Sequence, residues 1–90
     1  MELTAHGMAK RVAFTIEARA DLRAIPQPIA IQILRTLARF LESGHGNVKR
    51  LQDIEPPLHR LRTQDHRVFF RDFGDHIEIT RVHDRKEAYR

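Results

Sequence analysis

Cysteine is absent from this 90-residue chain, which excludes a disulfide framework and a thiolate zinc site and fits a reducing compartment such as the cytoplasm. Serine occurs once, as Ser43 at a helix end, so no nucleophile motif for acyl transfer is present. Long apolar runs are also missing. The stretch from Ile29 to Leu41 is interrupted by Gln32, Arg35, Thr36 and Arg39, which argues against a membrane span. Met1 to Met8 lacks the charged opening and apolar core of a secretory signal; a loose extension over residues 1–9 is expected, with Met8 an alternative start. Gly44-His45-Gly46 follows a helix and lacks the lysine and hydroxyl partner of a phosphate loop.

What remains suffices for one folded domain spanning residues 1–90. Hydrophobic content is 41% and charged content 31%, a balance that supports one lean core and argues against disorder. Net charge is +4 with a pI near 10.3, which suits a nucleic-acid or acidic-protein partner. Residues 1–48 carry six Lys/Arg against four Asp/Glu and residues 49–90 carry ten against eight, so each half contributes +2. A basic patch must therefore arise from the facing of side chains.

The spacing of apolar residues predicts an α+β fold. Val12, Phe14 and Ile16 alternate as a first strand, and Thr15 can cap a short helix with Glu17 in its first turn. Ala18, Leu22 and Ile25 give that helix its apolar side before Pro26 ends it. A second helix opens at Pro28, keeps 3.6-residue spacing through Ala30, Ile33, Leu34, Leu37, Phe40 and Leu41, and stops at Gly44 and Gly46. The two form a helical hairpin. Residues 47–57 read as a connector with Val48 and Leu51 touching the core and Pro56-Pro57 forbidding regular structure.

A three-stranded antiparallel meander follows over about Leu58–Arg62, His66–Phe73 and His76–Val82, its short links permitting only antiparallel neighbours. Alternation assigns His59, Leu61, Val68, Phe70, Ile77 and Ile79 to the core, and burying Val82 as well requires a bulge or a strand end near Arg81. With both helices on one face of the sheet, the other is open and basic: Arg60, Arg62, Arg67, Phe69 and Arg71. Guanidinium groups stay charged and offer a rigid set of donors, so several on one surface suit a phosphodiester.

The order strand, helical hairpin, Leu-His-Arg-Leu-Arg, turn, Arg-Val-Phe-Phe, strand, and a terminal Arg85 with Tyr89 resembles the RelE/ParE superfamily of toxin–antitoxin toxins over about residues 10–90. The segments Leu61 to Phe70 and His83 to Tyr89 carry most of it. For RelE-like members the resemblance implies a ribosome-dependent, metal-independent endoribonuclease that cuts mRNA, with catalytic roles for Arg60, Arg67, Arg85 and Tyr89. Leu58 stands where some members have a lysine, which leaves the general base open. Relatives that poison DNA gyrase share the fold, and a plain RNA-binding module is a third reading.

In the nuclease reading the 2′-hydroxyl attacks the adjacent phosphorus, so the nucleophile is held within the substrate and no cofactor is called for. Arg67 and Arg85 are assigned to the non-bridging oxygens, Arg60 completes the clamp, and Tyr89 is an acid–base or stacking residue. His83 or His66 is an alternative proton-transfer group. Arg62 and Arg71 are expected to touch the RNA backbone or pair with nearby carboxylates; Phe69 stacks a base or packs against an antitoxin segment; Lys49 and Arg50 form a solvated loop within reach of ribosomal RNA. The histidines His59, His66, His76 and His83 lack a ligand spacing, and no metal site is expected. The expected partners are an antitoxin, the ribosome and mRNA.

Overall fold

The computed structural model describes residues 11–52 and 56–84, a set that leaves out Arg85 and Tyr89. The elements run β1 (Arg11–Phe14), α1 (Ile16–Arg23), α2 (Gln27–Ser43), β2 (Asn47–Gln52), β3 (Leu58–Arg62), β4 (His66–Asp72) and β5 (His76–Asp84). They form one five-stranded sheet in the order β1-β5-β4-β3-β2. The β1–β5 pair is parallel and the other pairs are antiparallel. The α+β architecture expected from the sequence is present, with one correction. Asn47–Gln52, read as connector, is a strand paired with β3 from Asn47↔Arg62 to Gln52↔Leu58, so the antiparallel part has four strands. The proline pair lies beyond that strand and does not oppose it.

Local chemistry explains the helix ends. Thr15 sits in extended backbone and its hydroxyl accepts the Ala18 N–H at 3.1 Å, while the same oxygen donates to the Thr80 carbonyl at 2.9 Å. One side chain thus starts α1 and ties it to β5. Pro28 occupies the first turn of α2, where no intrahelical N–H is needed. Gly44 ends α2 in the left-handed region at φ 75°, its N–H donating to the Phe40 carbonyl at 2.7 Å. At Gly46, a Cβ would stand 3.0 Å from Leu61 Cδ1 and 3.3 Å from Phe40 Cδ1, so a side chain where β2 enters the sheet would require those neighbours to give by a few tenths of an ångström.

The core lies between the helices and one sheet face: Ala18, Ile33, Leu37 and Leu41 from the helices against Leu61, Val68, Phe70, Ile77, Ile79 and Val82. Ile79 and Val82 are both buried although three positions apart, because the β4–β5 register shifts between Phe69↔Arg81 and Phe70↔Ile79. Thr80 is the additional residue, one position before the expected place of the bulge, and its hydroxyl donates to the Phe69 carbonyl at 3.2 Å. No helix of the described residues is long and apolar enough to cross a membrane.

Leu61→Ala is expected to destabilise the fold by about 2–5 kcal/mol through the cavity it leaves. Thr15→Ala should cost about 1–2 kcal/mol, because a cap and a helix–strand hydrogen bond are lost together. Urea unfolding midpoints of both variants check these values.

Candidate nucleic-acid interface

The sheet register builds the open face. Residues paired across antiparallel strands share a face and sit about 5 Å apart, so three lateral rows can be followed through the sheet. The first is Asn47–Arg62–Arg67–His83 and the second Lys49–Arg60–Phe69–Arg81. The third holds Leu58, Arg71 and Glu78. Arg60, Arg62, Arg67, Phe69 and Arg71, expected together from alternation, are thereby placed on one surface, and Lys49 joins them. Arg50 does not. It pairs with His59, whose other cross-strand neighbour is the core residue Phe70, so Arg50 belongs to the helix side of the sheet. Lys49 and Arg50 are strand residues rather than loop residues, and a strand presents neighbours to opposite sides.

Burial within the array is uneven. Arg62 is exposed, Arg60 and Phe69 are half-buried, and Arg67 retains only 7% of its exposure. Arg60 Nε is buried with no hydrogen-bond partner among the described residues, a state that buried donors rarely occupy. Arg71 has a structural attachment, its Nη1 donating to the Pro56 carbonyl at 3.0 Å. Like charges across neighbouring strands repel, and Arg62 beside Arg67 is such a pair. Glu78 is the only acidic side chain in these rows, and it faces Arg71. Bound phosphate would relieve the crowding around Arg60, Arg62 and Arg67.

His83 closes the first row. It is the cross-strand neighbour of Arg67, and its ring meets Phe69 edge to face at 5.4 Å. It is the one imidazole in these rows. Three other histidines lie elsewhere: His59 stacks on Phe70 at 5.2 Å, His66 is buried with Nε2 3.9 Å from Asp84, and His76 pairs with Asp75 at 2.7 Å. Among the described residues no three potential metal ligands gather. Arg85 and Tyr89, the remaining expected site residues, lie outside the described residues.

Sequence reasoning missed Asp21. Its carboxylate accepts from Arg81 Nε at 2.9 Å, from Arg81 Nη2 at 3.2 Å and from the Val82 N–H at 2.8 Å. The signal was an acidic residue set between Ala18 and Leu22, inside the apolar side of α1. Burial pushes the Asp21 carboxyl up, but the Arg81 and Val82 hydrogen bonds, with the charges of Arg81 and His83, outweigh it and hold the group below its ordinary value of 3.8.

The family model described as ParE toxin of type II toxin-antitoxin system, parDE, matches residues 12–89. No curated protein gives a significant match. Among solved structures, the chain is similar to the RelBE2 toxin–antitoxin complex of Mycobacterium tuberculosis, at 24% identity and a TM-score of 0.71 over 86% of this chain and 99% of that one. The RelE–RelB complex of Pyrococcus horikoshii gives 20% identity and a TM-score of 0.70, covering 87% and 97%. The chromosomal ParDE system of P. aeruginosa gives 19% and 0.62, covering 86% and 97%. At these identities the structural likeness establishes a shared fold.

Because the folded Asp21 pKa is lowered, its stabilisation is present above the ordinary carboxyl value and is lost as pH falls through the folded one. Wild-type stability should therefore decline more steeply than that of Asp21→Asn below about pH 4, as urea unfolding over roughly pH 3 to 7 would show.

Proposed function

Because the chain belongs to the ParE toxin family of type II toxin–antitoxin systems, we propose that it is a toxin whose cationic sheet face cuts ribosome-bound mRNA in the cytoplasm. The observation that carries this reading is the packing of Arg60, Arg62 and Arg67 into adjacent cross-strand positions, with Arg67 buried and Arg60 Nε lacking a hydrogen-bond partner among the described residues. Such an array suits a phosphodiester whose non-bridging oxygens gain charge in the transition state. Arg67 and Arg60 bind those oxygens. Arg85 adds a third guanidinium, and Tyr89 donates a proton or stacks a base, as the family resemblance implies.

The reaction is transesterification. The substrate's 2′-oxygen loses its proton and bonds to phosphorus, and the bond from phosphorus to the 5′-oxygen of the next nucleotide breaks. That oxygen takes up a proton. The products are a 2′,3′-cyclic phosphate and a 5′-hydroxyl. The protein contributes charge, orientation and proton transfer.

The solved relatives from M. tuberculosis, P. horikoshii and P. aeruginosa are toxin–antitoxin complexes or systems, and this chain is proposed to have a cognate antitoxin of its own. An acidic partner segment complements the chain's net charge of +4. The match to a ParE model favours a second reading, inhibition of DNA gyrase without cleavage of RNA.

Mapping mRNA ends on translating ribosomes separates the two. Arg67→Ala and Arg60→Ala should each lower cutting by ~10²–10³-fold with the fold intact. A downstream fragment bearing a 5′-phosphate would exclude internal attack. Growth arrest with intact mRNA and trapped gyrase–DNA complexes would favour the second reading.

A further inference from the structure

The free edge of β5 shows how the cationic face keeps its register. Among the described residues, β1 pairs with β5 from Arg11↔His76 to Phe14↔Ile79. Beyond Ile79, β5 has β4 on one side and side chains of the β1–α1 segment on the other. The Thr15 hydroxyl takes the Thr80 carbonyl, and the Asp21 carboxylate takes the Val82 N–H and the Arg81 guanidinium. Asp21 is also the more shielded partner of the ion pair, 17% exposed against 48% for Arg81.

The bulge makes this clamp consequential. Thr80 is the one residue by which the β4–β5 register shifts, and a strand moved by one residue turns each side chain to the opposite face. Relocating that shift beyond His83 would remove His83 from Arg67 and Phe69 and expose Val82. Asp21 bonds the two residues that follow the bulge and precede His83.

We propose that Asp21 is a positioning residue that locks the register of β5 past its bulge and holds His83 on the cationic face. This rests on the nuclease reading above. Asp21 lies on α1 and bonds the strand, so it acts on the reaction through the groups it places.

The test measures cutting of mRNA on translating ribosomes by the wild type, Asp21→Ala and Asp21→Asn, with rates expressed per folded molecule and ribosome affinity measured separately. Asp21→Ala should lose ~100-fold in turnover, the scale expected when reacting groups are displaced by about an ångström, with ribosome affinity little changed. Hydrogen exchange at the Val82 amide should accelerate in the same variant, a local readout that global destabilisation alone would not single out. Asp21→Asn keeps an acceptor for that N–H and should retain more activity. If Asp21→Ala does not fold, Asp21→Asn and Arg81→Met carry the test, each with a severalfold loss of turnover at unchanged affinity. Wild-type turnover in Asp21→Ala, or in both substitutes, overturns the proposal, as does parallel loss of ribosome binding and cutting. A wild-type protein that leaves mRNA intact fails the nuclease reading itself, and this inference with it.

Discussion

Alternation along β3, β4 and β5 divides the molecule into two chemistries. Leu61, Val68, Phe70, Ile77, Ile79 and Val82 turn to the helices and make the core, which obliges the residues between them to turn away. Those intervening residues are largely arginines. The hydrophobic effect that seats the apolar set therefore also gathers like charges on the opposite surface, where they repel. The same burial that stabilises the fold sustains an arrangement that phosphate can relieve.

This coupling explains the uneven character of the cationic face. Arg71 is anchored by the Pro56 carbonyl and faces Glu78, whereas Arg81 is held at the sheet edge by Asp21. Arg60, Arg62 and Arg67 occupy the middle strands, away from both of those carboxylates in the cross-strand order. Phe69 lies between Arg60 and Arg81 in its row and supports the His83 ring. The surface thus has a charged centre with an aromatic and an imidazole at its side, and Arg71 and Arg81 are tied to Pro56 and Asp21 around it.

Much of this was legible in the sequence because it follows from local rules. Thr15 as a cap, Gly44 as a terminator, the apolar stripe of α2 and the period-two pattern of the later strands each depend on near neighbours. The conflict between burying Ile79 and burying Val82 even signalled the bulge. β2 was not legible, since Asn47-Val48-Lys49-Arg50-Leu51-Gln52 is polar and becomes a strand through pairing with β3. Its consequence, the separation of Lys49 from Arg50, was hidden with it. Asp21 escaped notice for a related reason: its partners are about sixty residues away in sequence. A short helix gives no hint of which strand edge it will dock against.

The parallel pairing of β1 with β5 joins the first described element to the last. During synthesis from the N-terminus, β1 and both helices emerge with no strand to cover them, and Asp21 has no Arg81 to bind. Contacts of such long sequence separation form late, since loop-closure entropy must be overcome before they contribute. The arginine array is therefore incomplete until β5 has been made, and the cationic face assembles only after every other described element has left the ribosome.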